Sequence, residues 1–255
     1  MFHKLTFKDN SLFINHKKPF NAIATFNKES IKLAFNFAYD MSFGKMGEHR
    51  NHRTGGTHTR KLGEIFANTF QGKLSEFAFY NTFYSHFPEL AKPDLTTWDL
   101  GEWDESDFVI NNYYISIKST KAFGNLLLLE QEDWDQNAHY LPNKLSNKHF
   151  DYDFFIMIRL SPYCEEILKK NKLLYSNNVS KDQLENLILT NDWSYDIPGF
   201  ISKEDLIYII NDNFLIFKSQ LLNGNTPMDA TNYYIQSGDM KDIKILIELL
   251  KNKKN

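Results

Sequence analysis

Asp107 and the triplet Ser116-Ile117-Lys118 are the residues of this chain whose types and spacing can support a reaction. Side chains alternate along a strand, so Ser116 and Lys118 share one face, and an acid that opens a neighbouring strand can meet them there. A carboxylate offers oxygen to a hard divalent cation, and an ammonium can orient water and offset the charge that develops on a phosphate. Hydrolysis of a phosphodiester needs both. The spacing by itself is common, and each residue has an ordinary reading: Asp107 belongs to an acidic cluster with Asp104 and Glu105, and Lys118 resembles any solvated strand lysine. What gives the pattern weight is the set of elements around it.

Two adjacent strands must hold these groups. Residues 107–111 and 113–119 have strand composition and meet at Asn111-Asn112, where asparagine tolerates the positive φ of a tight hairpin turn. Ahead of them, Ile65, Phe66, Phe70, Leu74, Phe77 and Ala78 recur with helical spacing and predict a helix over 62–84 that carries Glu76. Gly72, one turn before Glu76, is expected to let that helix approach the sheet. Residues 126–129 and 152–160 read as further strands. A hairpin around Asp9-Asn10-Ser11 and a helix capped by Asn27 precede this core. Beyond residue 160, Ser180 to Gln183 and Ser202 to Asp205 have the capping-box form, and Ile243, Leu246, Ile247 and Leu250 make a stripe expected to pack in the core or a dimer. The expectation is one α/β domain over 1–255, a central mixed sheet flanked by helices with a mostly helical part over about 161–255.

Composition narrows the partners. With 22 Phe and 13 Tyr in 255 residues, the chain is far too aromatic for disorder. One cysteine excludes an internal disulfide, and no Cys/His spacing of a structural zinc site is present. The N-terminus lacks the apolar core of a signal peptide, and no run approaches the roughly 20 apolar residues of a membrane span, which predicts a cytoplasmic protein away from membranes. The net charge of −3 means that a nucleic-acid site must be a local concentration of positive charge. Three of the four arginines, Arg50, Arg53 and Arg60, fall within eleven residues, interleaved with His52, His58 and Lys61 and the pair Gly55-Gly56. Arginine can grip phosphate or guanine with two hydrogen bonds, so this basic loop is the expected DNA contact, with Lys121 and Asn125 expected near the backbone.

Asp107, a turn, and Ile115-Ser-Ile-Lys-Ser-Thr120, preceded by a helix bearing Gly72-Lys-Leu-Ser-Glu76, resemble the core of the PD-(D/E)xK nuclease superfamily over roughly residues 62–160. The resemblance implies a restriction endonuclease-like fold in which Asp107 is the first acid, Ile117 offers a backbone carbonyl to Mg2+, Lys118 assists the attacking water and Glu76 adds a ligand. It further implies a type II restriction endonuclease that cuts double-stranded DNA as a homodimer and leaves 5′-phosphate ends. The chain departs from the family at Ser116, where a second acid is expected. Some members tolerate a serine there by bringing in a glutamate from further along; Glu130 and Glu132 lie fourteen residues past Ser116 and Lys118, and Glu76 is the first choice. Two rivals stand beside this reading, an inactive or regulatory DNA-binding protein on the same fold and a repair or structure-specific nuclease. An unrelated interaction domain is a third.

Overall fold

The structure is a computed structural model that describes residues 1–44, 59–96, 107–145 and 150–252. Strands β1 (Thr6–Lys8) and β2 (Ser11–Phe13) pair about a turn in which Asp9 and Asn10 have φ of 48° and 60°. That left-handed region is the one Asp and Asn enter most readily. After β3 (Ala24–Thr25), the Asn27 side chain accepts a hydrogen bond from Ser30 N at 2.7 Å and starts helix α1 (Lys28–Ser42). Helix α2 (Leu62–Phe83) packs along α1, with Phe35 edge-on to Phe66. Hydrophobic residues surround α2 on nearly all sides, which marks it as an interior helix.

Strands β4 (Phe108–Ile110) and β5 (Tyr113–Lys121) form the expected hairpin, and Asn111 and Asn112 take φ of 50° and 62° at its turn. Next come β6 (Leu126–Glu130), α3 (Leu141–Leu145), β7 (Phe154–Ser161), α4 (Cys164–Lys170) and α5 (Lys181–Leu189). The chain continues through β8 (Ser194–Ser202), α6 (Lys203–Asn211), β9 (Leu215–Ile216), β10 (Leu221–Leu222), β11 (Thr226–Pro227), β12 (Asn232–Gln236) and α7 (Ile243–Asn252). The central sheet has the order β3-β8-β7-β5-β4. Its β5 and β7 run parallel and its other neighbours antiparallel, so it is mixed, as expected.

That sheet divides the core. Ile115 and Ile117 lie beside Phe154 and Ile156 and face the layer of α1, α2 and α7. Ser116 and Lys118 lie beside Phe155 and Met157 and face the other layer, built from α6 and the sheet β6-β12-β9. Thus 126–129 is a strand, but it belongs to a separate sheet that covers the central one.

The C-terminal part corrects the expectation of a mostly helical region. It holds four helices, yet it also supplies β8, an interior strand of the central sheet, and β12, the middle of the second sheet. Pro198 and Gly199 disguise β8 as a turn. The ladder tolerates them because its register shifts between Met157 and Arg159, leaving Pro198 outside the regular pairing. Gly199 meets Lys241 so closely that a β-carbon would sit 2.4 Å from the Lys241 carbonyl oxygen. In α7, Leu246, Ile247 and Leu250 are buried in the helical layer, so the stripe is core. No helix among the described residues is long and apolar enough to cross a membrane.

Candidate active site

The β4–β5 register pairs Phe108 with Ile115, which sets Asp107, one residue before the strand, at the level of Ser116. The Asp107 carboxylate accepts a short hydrogen bond from Ile117 N through Oδ2. N–H and C=O of one strand residue point to the same side, so the Ile117 carbonyl also emerges at this edge, where β4 has not yet begun. Alternation puts Asp107 on the face that carries Ser116 and Lys118. The geometry therefore gathers Asp107, Ser116, the Ile117 carbonyl and Lys118 at one strand end.

The electrostatics are those of an unfinished site. Burial raises the Asp107 carboxyl above its ordinary range, against the opposing pull of the Lys118 ammonium, the Ile117 N–H and the Lys73 ammonium. Lys118 is half-buried and has no hydrogen bond or ion pair among the described residues. Ser116 is 1% exposed, and its Oγ lies against the Asp107 carboxylate, whose charged form it favours, outside strict hydrogen-bond geometry. Beside these groups, Ile117, Lys118, Ser119 and Thr120 of β5 join Leu126, Leu127 and Leu128 of β6 and Met157 of β7 around a cleft of about 310 Å³.

The donors at this spot are all oxygens, the set a hard divalent cation selects. Asp107 and the Ile117 carbonyl fit Mg2+, and Ser116 adds only a neutral hydroxyl. Glu130 ends β6, the strand that covers this face, and one of its carboxylate oxygens is buried. Glu132, in the following turn, is exposed. Of the two, Glu130 is thus the acid held inside the protein.

Glu76 is carried by the expected helix. It lies on α2, in the helical layer, and Lys73 Nζ holds its carboxylate at 2.7 Å. Lys73, only 7% exposed, also donates to the Asp94 carbonyl at 2.6 Å and lies 4.7 Å from the Phe37 ring centroid. It links Glu76 to the surroundings of Asp107, since its charge is felt there. Gly72 does not bring helix and sheet together: a β-carbon there would meet nothing within 4 Å. The close approach on α2 is at Gly63, whose β-carbon would lie 2.3 Å from the Leu173 carbonyl oxygen. Lys73 was not singled out from the sequence. Its signal was a lysine at i−3 from a glutamate on a helix that is apolar all round, where a charge must be paired.

The expected DNA contacts are spread out. Arg50, His52, Arg53 and His58 lie outside the described residues. Arg60 and Lys61 stand at the start of α2, where Lys61 N donates to Glu64 Oε2 at 2.8 Å, about 22 Å along the helix from Glu76. Lys121, at the far end of β5 and about 16 Å along the strand from Ser116, covers the Phe123 ring at 4.4 Å. The Asn125 side chain accepts from Ser237 Oγ at 2.6 Å and Arg159 Nη1 at 3.3 Å and donates to the Phe123 carbonyl at 3.1 Å. It is committed to internal bonds, and that end of β5 is built for structure.

No protein-family model, no curated protein and no solved structure matches the chain.

Proposed function

We propose that this chain is a Mg2+-dependent endonuclease of double-stranded DNA, a type II restriction enzyme on a restriction endonuclease-like sheet, working as a homodimer. The single observation that carries the reading is the half-buried Lys118 ammonium, which lines a cleft, makes no hydrogen bond or ion pair among the described residues, and acts on the desolvated Asp107 carboxylate beside Ser116. The Lys118 ammonium keeps hydrogen-bond donors for a phosphate and the water that attacks it.

Asp107, the Ile117 carbonyl and the Ser116 hydroxyl would hold Mg2+, with Glu130 as the additional acid and Glu76 in reserve, since engaging Glu76 requires Lys73 to release it. The bound ion would supply Lewis-acid polarisation of the scissile phosphate. Lys118 orients the attacking water and offsets charge on the phosphate. The new P–O bond forms from water as the bond to the 3′ oxygen breaks, leaving a 3′ hydroxyl and a 5′-phosphate. The basic segment Arg50, His52, Arg53, His58, Arg60 and Lys61 would grip the duplex, and two copies would meet a two-fold site.

The test is digestion of unmethylated phage DNA with Mg2+, followed by sequencing of the fragment ends. Discrete ends bearing 5′-phosphate are expected. A second reading has its own observation: Ser116 stands where an acid is expected, and Lys73 neutralises Glu76, which suits a DNA-binding protein that does not cut. Retarded DNA without cleavage would favour it. Cleavage of branched but not intact duplex would favour a repair nuclease.

A further inference from the structure

His3, His16 and Asp239 come together from the two ends of the chain. One ligand atom from each lies within 4.8 Å of the others. His3 Nδ1 is 2.7 Å and His16 Nδ1 3.2 Å from the same Asp239 Oδ1, and the two rings stack with centroids 3.7 Å apart. Asp239 is only 3% exposed in its side chain, whereas the histidines are 42% and 40% exposed. We propose that His3, His16 and Asp239 form a site for a divalent transition cation of the zinc class, with its open coordination position toward solvent.

The residue types suit that class: two imidazoles and one carboxylate, the borderline set that favours zinc over magnesium or calcium. Tetrahedral bonds of about 2.1 Å set ligand atoms about 3.4 Å apart, so the Asp239 contacts need to open by less than about 1 Å and the two imidazoles, stacked at 12°, must splay so that both Nδ1 lone pairs meet the ion. Without an ion, one carboxylate oxygen is shared by two stacked imidazoles. A cation at the convergence of the two Nδ1 atoms and Oδ1 would engage all three groups and leave both Nε2 atoms to water.

The surroundings are organised for the purpose. The fully buried Gln236 side chain accepts from Asn15 N at 2.9 Å and His16 N at 3.0 Å, and donates to the His3 carbonyl at 2.9 Å. One amide thus fixes the backbones of both histidines. Asp239 Oδ2 accepts from His3 N at 2.9 Å, which orients the carboxylate so that Oδ1 faces the rings. Gly238 lets the His16 backbone approach: its N–H donates to the His16 carbonyl at 3.1 Å, and a β-carbon would lie 2.8 Å from the His16 carbonyl carbon. Such outer-shell support is what ligand sets require. The ion would clasp the N-terminal segment to the turn after β12.

The experiment is a titration of the full-length, untagged, metal-free chain with zinc chloride against a competing chelator, together with thermal unfolding. About one zinc per chain is expected, with a raised unfolding midpoint. His3→Ala and His16→Ala should each weaken binding by at least about 100-fold, beyond the loss of an outer-shell partner, and His86→Ala, at an exposed histidine outside the cluster, should leave it unchanged. A chain that takes up no zinc at micromolar concentration, with a midpoint that responds only to pH, would mean a hydrogen-bonded His–Asp–His cluster and overturn the proposal. Stoichiometric zinc retained by both histidine variants would overturn it equally. No DNA enters the measurement, so its outcome is independent of nuclease activity.

Discussion

Arg159 with Asp196 and Lys118 with Asp107 each set a basic side chain and a carboxylate on neighbouring strands of one sheet, and they are finished to opposite degrees. Arg159 is 1% exposed, and all five of its N–H donors are used. Nε and Nη2 bind the two Asp196 oxygens, Nη1 and Nη2 reach the Lys18 and Pro19 carbonyls at 2.8 Å, and Nη1 also meets Asn125. Asp196 accepts in addition from Asn21 N at 3.0 Å. Nothing is left over for a ligand. Arg159 lies beside Thr120 of β5; two to four residues back along that strand, Asp107 accepts from Ile117 N and is touched by the Ser116 hydroxyl, and Lys118 makes no hydrogen bond among the described residues. A closed pair holds strands and loop together; an open one keeps bonding capacity that substrate or ion can use. The sheet thus sets a structural pair and a candidate reactive pair only a few residues apart.

Breaking the closed pair should produce the largest change. Arg159→Ala leaves Asp196 buried and uncompensated, and should cost about 3–5 kcal/mol of stability in denaturant unfolding. A loss below 1 kcal/mol would mean that the pair is not the closed unit described. Lys118→Ala should do the reverse, lowering cleavage by at least about 100-fold in a plasmid assay while stability changes by less than about 1 kcal/mol. Full cleavage by that variant would end the catalytic assignment.

Asp107→Asn sharpens the contrast through pH. The folded carboxyl is raised, so the folded state holds its proton to higher pH than the unfolded chain, and stability falls as pH rises from the ordinary carboxylate range through the folded value. Without divalent ions, the asparagine variant should therefore be more stable than the parent near neutrality, and the difference should vanish in acid, where Asp107 is protonated in both states. A less stable variant at neutral pH would show that the charged carboxylate is well solvated. The smallest effect belongs to Gly72→Ala. Its β-carbon enters open space on a helix, so unfolding should show a gain of about 0.4–1 kcal/mol. A loss would restore a packing role to Gly72.

Local chemistry was legible at the hairpin. Asn111-Asn112 announced a turn because asparagine enters positive φ cheaply, and alternation then put Ser116 and Lys118 on one face. The stripe of α7 and the caps at Asn27, Ser180 and Ser202 were legible for the same reason, since each depends on residues within one or two turns. Strand β8 was hidden because Pro198 and Gly199 are breakers unless a bulge and a close neighbour accommodate them.

The amino-acid sequence by itself determined the elements near Asp107 and Lys118 and the order in which these residues follow one another, because turns, caps and side-chain alternation are set by nearest neighbours along the chain. Only the tertiary structure decided that Glu76 belongs to Lys73 and the helical layer, that β6 roofs the opposite face, and that His3 and His16 find Asp239 across the whole length of the chain. Those outcomes depend on which layer each element packs against, and no local spacing carries that information.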